Sequence, residues 1–306
     1  MDNSQLLSIC IPIYNRKEFL RRMLDRFLED KYLFENDIHL FISDNCSQDD
    51  LEGCCKEYVS RGLKLEYHRN KENIGPDRNF ELCFRSGKGK YIWLLGSDDI
   101  PVRGYLPKLI TQLKSNDYGL FHISIKPRSN SIIEYTDGNE MAVAVNYWIT
   151  FMSSNIIRTN SLKGIDFTAF RSSNMLQVPA YLNACLSSQV NAIYYMGMPF
   201  EMETDIANNG GYNFVKVFVS NLFGIYESFI SNGLLSRKSF NRIKKVEYRD
   251  FLLPYIVVLL ILKRNKNFDK GNSWAILWKY YGRCFYSYYY FLDYIVRTIY
   301  KKINVF

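Results

Sequence analysis

Residues 91 to 99, Tyr-Ile-Trp-Leu-Leu-Gly-Ser-Asp-Asp, place two adjacent carboxylates directly behind a five-residue apolar run. The run has the length and the aromatic and branched content of a buried strand, and Gly96-Ser97 ends it. Asp98 and Asp99 therefore fall at a strand's carboxyl end. A carboxylate pair is too costly to bury unpartnered, but at that place it can reach a divalent ion that also grips phosphate oxygens. Taken alone, Ser-Asp-Asp reads as a solvated turn. The chain around it reverses that reading.

Outward from this stretch, the first 125 residues alternate short strands with helical patterns, the signature of a largely parallel sheet with helices on its faces. Strands are expected at 7–13, 38–43, 64–67, 91–95 and 118–123. Helices are expected at 17–30, 48–61, 77–86 and 105–115. The first of these sets Phe19, Leu20, Met23, Leu24, Phe27 and Leu28 at helical spacing, and Pro76 stands where a first turn tolerates proline. Beyond residue 126 the pattern loosens through polar stretches at 128–131 and 136–140, then gives a strand at 153–157, a helix at 173–187 and a strand at 192–196. The loop 200–212 carries three acids and Gly210-Gly211, and reads as a mobile segment over a cleft. From Tyr212 onward long helical patterns take over, with breaks near Gly233 and at Lys270-Gly271. The expected division is a sheet domain over 1–211 and a helical appendage over 212–306, closing in one helix over 273–302.

Composition narrows the function. The chain has 306 residues, 47% of them hydrophobic, which suffices for a sizeable core. Seven cysteines with no Cys-x-x-Cys pair indicate neither a disulfide framework nor a zinc site, and fit a reducing cytoplasm. The polar amino terminus leads straight into a strand, without the arrangement of a secretory signal. A formal net charge of +8 favours an anionic partner. No basic stripe accompanies a nucleic-acid motif, so nucleic acid is not expected. The longest apolar stretch, 251–262, has 12 residues, well short of the ~20 that span a bilayer. The closing helix carries Trp274, Trp278, Tyr288, Tyr289 and other aromatics beside Arg283, Arg297, Lys301 and Lys302, a composition that suits an anionic membrane surface and equally suits packing on the first domain. His39, His68 and His122 lie in or beside strands and read as structural.

Four segments fall at the carboxyl ends of the expected strands: Pro12-Ile13-Tyr14-Asn15-Arg16, Ser43-Asp44-Asn45-Cys46-Ser47, Asn73-Ile74-Gly75 leading to Arg78-Asn79, and Gly96-Ser97-Asp98-Asp99. In this order, over about residues 6–125, they resemble the inverting family 2 glycosyltransferases of the GT-A fold. The wording Asn-Ile-Gly-Pro with Leu-Leu-Gly-Ser-Asp-Asp is similar to abequosyltransferase-type enzymes of O-antigen assembly. The resemblance implies an α/β, Rossmann-like nucleotide-sugar-binding domain. It sets Tyr14 beside the nucleotide base with Pro12 in the donor site, Arg16 within reach of the diphosphate, and Asp44 as acceptor of a base N–H. Arg78 would grip the nucleotide or brace the acidic pair, and Gly96 and Ser97 would line the donor site. Core packing for Tyr14, a helix cap for Asp44 and a solvated face for Arg78 are the plain alternatives. Asp98 and Asp99 would share Mn²⁺ or Mg²⁺ with the diphosphate. Many members have Asp-x-Asp-Asp where this chain has Gly96, one carboxylate fewer.

An inverting reaction needs a base for the acceptor hydroxyl, and the family's acid at the helix start is replaced here by Ser173-Asn174. Glu203 and Asp205 of the acidic loop are the substitutes expected, with Glu201 and Asp166 behind them. The implied function is transfer of one sugar from a nucleotide-sugar donor to a lipid-linked or oligosaccharide acceptor in surface polysaccharide biosynthesis, on the inner face of the cytoplasmic membrane. The other class of reading is a non-catalytic nucleotide- or membrane-binding protein on a degenerate GT-A fold.

Overall fold

The computed structural model describes residues 5–126, 131–201, 211–264 and 267–303, and the side chains of the last helix as far as 298. The chain forms two compact units, Met1–Asp205 and Ile206–Phe306. In the first, β1 (Leu7–Ile13), α1 (Lys17–Glu29), a short α2 (Lys31–Asn36), β2 (Ile38–Asp44), α3 (Leu51–Ser60), β3 (Glu66–Arg69), α4 (Pro76–Ser86), β4 (Tyr91–Leu94) and α5 (Tyr105–Ser115) follow one another. Then come β5 (Leu120–Ser124), β6 (Ser131–Tyr135), α6 (Gly138–Val145), β7 (Asn155–Arg158), α7 (Gln177–Leu186) and β8 (Asn191–Tyr195). The strands make one sheet in the order β3-β2-β1-β4-β7-β5-β8-β6. The first four are mutually parallel, and β7 enters antiparallel between β4 and β5.

Burial explains the sequence runs. β1, β2, β4 and β5 are buried at every position, as expected of strands covered on both faces. The edge strand β3 is Glu-Tyr-His-Arg and largely exposed, a charged edge that discourages pairing with another chain. α1 buries Leu20, Met23, Leu24 and Phe27, four positions of one helical face. Gly75 has φ of 81°, which glycine adopts freely, and Pro76 then opens α4.

The path of the chain places the site. From β1 it steps to β2 and β3 on one side and returns to β4 on the other. The order reverses between β1 and β4, and at such a point the two loops leaving the carboxyl ends diverge and open a crevice.

Several elements depart from the expectations. The polar stretch at 136–140 is the start of α6, whose first N–H groups Asp137 caps at Asn139 (2.7 Å) and Glu140 (3.4 Å). α7 begins at Gln177 instead of 173, because Ser172 and Asn174 hold left-handed backbone and bend the approach. β6 and the six-residue α2 are too short for their periodicity to stand out.

In the second unit, α8 (Leu222–Ser231), α9 (Arg237–Glu247) and α10 (Leu253–Ile256) precede α11 (Ser273–Tyr281) and α12 (Phe285–Ile303). The expected single closing helix is therefore two. The break is at Gly282, where a Cβ would stand 2.6 Å from the carbonyl oxygen of Trp278 and 2.8 Å from its ring. Phe223, Phe240, Tyr248 and Tyr281 form an aromatic core, with Phe223 edge-on to Phe240 at 5.3 Å. Trp274, Trp278, Phe285, Tyr288 and Tyr289 are exposed. Tyr281 packs inside the second unit, against Phe223 and Tyr248, while the tryptophans face outward. Among the described residues no helix is long and apolar enough to cross a membrane.

Candidate active site

The loops that follow β1 and β2 are laced together. The Asn15 N–H donates to Ser47 Oγ (2.9 Å), the Gln48 N–H to Asn15 Oδ1 (2.7 Å), and the Lys17 N–H, the first of α1, to Asp49 Oδ2 (2.7 Å). Asn15 and Cys46 take left-handed backbone, φ 52° and 66°, an uncommon conformation for residues other than glycine that the lacing holds in place. An amide network joins the next loop. Asn45 Oδ1 accepts from Asn70 Nδ2 (3.1 Å) and the Ile74 N–H (3.0 Å), and Asn79 Oδ1 accepts from Ser43 Oγ (2.7 Å). These bonds fix the start of α4 against the end of β2.

Between the ends of β1 and β4 lies a cleft of about 350 Å³. Pro12, Tyr14, Arg16, Ser97 and Asp98 line it, with Asn45, Asn73, Pro76, Asn79, Phe80 and Met152. Tyr14 is 41% exposed, so its ring is open to a ligand. The Arg16 guanidinium meets Asp98 Oδ2 at 2.8 Å, joining the two loops across the cleft.

Asp99 is turned away from the cleft. Its Oδ2 accepts from the Ser153 hydroxyl at 2.5 Å, and Ser153 Oγ in turn accepts from the Gly96 N–H at 2.8 Å. Burial pushes the Asp99 carboxyl up to about 7, the Ser153 bond opposes that rise, and Asp98 adds to it. The same packing accounts for Gly96. A Cβ there would stand 2.5 Å from Asp99 Oδ2 and 3.2 Å from both Asp98 Oδ1 and Met152 Cε, so a first aspartate has no room while Asp99 lies under it.

Other expected residues stand elsewhere. Asp44 is fully buried outside the cleft lining, and its oxygens accept from the Ser47 N–H (2.8 Å), Tyr67 Oη (2.7 Å) and Arg69 Nη1 (3.1 Å). In this arrangement it organises the β2–α3 turn. Arg78 is exposed on α4, outside the lining. Glu201 is engaged by Arg26, with Arg22 at 3.9 Å, and Asp166 caps a turn through Thr168. Glu203 and Asp205 lie outside the described residues, as does most of the acidic loop, and the side chains of Lys301 and Lys302 do so too. The Asn174 N–H and, at 3.4 Å, the Leu176 N–H donate to Asp77, whose carboxyl is raised by burial against those bonds.

Met152 and Ser153 were missed by sequence reasoning. Because β7 runs antiparallel to β4, the residues before it lie beside the carboxyl end of β4. The register Trp93 opposite Ile156, extended by three residues, sets Gly96 beside Ser153. Neither residue belongs to a motif, so only the pairing of the two strands could have found them.

For a divalent cation, the chain offers oxygen donors of the hard type that Mg²⁺ and Mn²⁺ prefer, and such ions are often held by one or two carboxylates together with substrate phosphates. Asp98, partly exposed in the cleft, fits that role. Among the described residues no group of three or more His, Cys, Asp or Glu side chains could hold a metal without a substrate's help.

Known proteins resemble this chain in sequence and in architecture. The abequosyltransferase RfbV of Salmonella typhimurium is 40% identical over 111 residues, 36% of this chain and 33% of its own. The chain's match thus spans about a third of that relative's length. TarS of S. aureus in complex with UDP superimposes with a TM-score of 0.59 over 82% of this chain and 72% of its own, at 14% identity. The mannosyltransferase PcManGT of Pyrobaculum calidifontis, in complex with GDP-Man and Mn²⁺, does so with a TM-score of 0.53 over 97% and 87%, at 12% identity. The sheet and helices are those of the GT-A fold. The pattern described as Glycosyl transferase family 2 matches residues 8–180, more than half the chain, and with the ordered loops at the sheet's carboxyl ends it settles the assignment: this chain belongs to glycosyltransferase family 2.

Proposed function

We propose that this chain transfers one sugar, with inversion, from a nucleotide-sugar donor to a lipid-linked or oligosaccharide acceptor in bacterial surface polysaccharide biosynthesis, of the O-antigen or capsule kind. The observation that carries the proposal is the convergence of Tyr14, Arg16, Ser97 and Asp98 on one cleft at the switch point of the sheet. The abequosyltransferase relative and the UDP and GDP-Man complexes of the structural neighbours support a nucleotide-sugar donor.

In this reading the base stacks on the exposed Tyr14 ring and the diphosphate lies toward Arg16, whose guanidinium keeps donors beyond those given to Asp98. Asp98 would hold Mn²⁺ or Mg²⁺ jointly with the diphosphate. When bound, the ion neutralises charge on the departing nucleoside diphosphate as a Lewis acid. Asp99, with its carboxyl near neutrality, spares the diphosphate a second full negative charge. The acceptor oxygen bonds to the anomeric carbon on the face opposite the leaving oxygen, the bond to phosphate breaks, and the acceptor proton passes to a carboxylate. Glu203 or Asp205 is our assignment for that base.

The exposed Trp274, Trp278 and Phe285, with Arg283 between them in sequence, support a peripheral position on an anionic membrane at its cytoplasmic face. The deciding experiment incubates the protein with a panel of nucleotide sugars, Mn²⁺ and a bacterial lipid extract, and follows release of nucleoside diphosphate together with labelled glycolipid. Acceptor-dependent release for one donor is expected. No release from any donor, with the nucleotide still bound, would favour a binding protein on the same fold.

A further inference from the structure

We propose that the amino-terminal edge of the sheet carries a second site, one that binds a phosphate group. A cavity of about 500 Å³ opens there, and Lys88, Lys90, Arg158 and Lys163 line it with Asp117 and Thr159. Lys88 and Lys90 immediately precede β4, and Arg158, the last residue of the antiparallel β7, pairs with Tyr91, the first of β4. The cations therefore gather at the end of the sheet opposite the donor cleft.

Their charges are only half compensated. Asp117 serves two of them, Lys90 at 3.1 Å and Arg158 at 2.6 Å, while Lys88 Nζ meets Glu66 at 2.5 Å. Lys163 is exposed and makes no ion pair among the described residues. Four cations thus face two carboxylates, and two positive charges remain. Backbone holds the group together, since the Thr159 hydroxyl donates to the Gly89 carbonyl at 2.5 Å and the Thr159 N–H to the Lys90 carbonyl at 2.9 Å. This pins the segment that bears Arg158 and Lys163 to the one that bears Lys88 and Lys90. Like charges focused in a concavity raise the local concentration of an anion, and their repulsion falls when one binds. A phosphate dianion matches the surplus of two, and the unused guanidinium donors of Arg158 match its oxygens.

The phosphate can be free in solution or part of a lipid headgroup, and two arms separate these sources. Metal-free calorimetry with inorganic phosphate at low salt is run on the full chain, on Lys163→Gln, on Arg158→Gln/Lys163→Gln and on Arg16→Ala. Sedimentation with vesicles containing phosphatidic acid, whose headgroup is a phosphomonoester, is run on the same proteins. Saturable phosphate binding that weakens about tenfold or more in the double variant and persists in Arg16→Ala supports a soluble ligand. Flat calorimetry with severalfold weaker vesicle binding by the double variant supports a headgroup. Should the double variant fail to fold by circular dichroism, Lys163→Gln alone serves, because no ion pair is lost with it. The proposal is overturned if the substitutions move neither ligand, or if phosphate binding is lost in Arg16→Ala and kept in the double variant.

Discussion

Ser153→Ala should destabilise the first unit through the acidic pair, and the size of the effect can be worked from two bonds. The hydroxyl gives one hydrogen bond to Asp99 and takes one from the Gly96 N–H, both in a fully buried place. Losing a bond to an ionised group costs about 1.5–3 kcal/mol, and leaving a buried N–H unpaired costs about 1–3 kcal/mol more. A total of roughly 4 kcal/mol corresponds to a fall in Tm of about 10 °C for a unit of this size. A double-mutant cycle with Asp99→Asn isolates the Asp99 share. At about pH 8.5 the carboxyl, pushed up to about 7 by burial, is ionised, and the coupling should be about 1.5 kcal/mol or more. At about pH 5.5 it is neutral, and the coupling should fall below about 1 kcal/mol. Denaturant melts of the four proteins at both pH values measure it. Additivity within about 0.5 kcal/mol at the higher pH would refute the link between Ser153 and Asp99.

Tyr14→Ala should weaken nucleoside diphosphate binding with little change in melting, because the ring is exposed, whereas Asp44→Ala should cost roughly 3 kcal/mol of stability because the Ser47 N–H and the Tyr67 hydroxyl lose a charged acceptor; calorimetry and denaturant melts separate the two. Burial, against the bond that His122 Nδ1 donates to Asn155 Oδ1, pushes His122 down to about 4, so the unfolded chain takes up the proton first. The stability this buried neutral ring contributes is whole above about pH 6.5 and is lost as pH falls toward 4, about 3 kcal/mol in all, and His122→Gln should flatten that slope in melts of the first unit. Glu247 in the second unit behaves oppositely. Burial raises its carboxyl well above the ordinary value, so the unfolded chain releases the proton first and stability is lost as pH rises above about 4.5. Glu247→Gln should remove that loss and raise the melting temperature at neutral pH.

The parallel half of the sheet was legible because its strands are buried on both faces, and continuous apolar runs such as Leu7–Ile13 read as strands without tertiary information. The loops that line the cleft were legible as loops because they follow those runs directly. What escaped depends on distant pairing: Ser153 and Met152 reach the site only because β7 enters antiparallel beside β4. Asp44 was expected to accept from a nucleotide base or to cap the next helix, and its burial with the Tyr67 and Arg69 contacts was hidden because they come from the edge strand β3, which sequence placed two residues too early. The break at Gly282 was hidden by unbroken aromatic spacing on either side, and a close approach to Trp278 decides it.

In the proposed function, the cleft between β1 and β4 binds the donor's nucleoside diphosphate through Arg16 and Asp98 with a divalent ion. Calorimetric titration of UDP, GDP and CDP, with and without Mn²⁺, into the full chain and into Asp98→Asn tests it most directly. One nucleotide should bind the full chain with an affinity raised by Mn²⁺, and Asp98→Asn should lose about tenfold or more of that gain while its melting temperature holds. Equal affinity in the two proteins at every Mn²⁺ concentration would contradict a metal-assisted diphosphate site at Asp98.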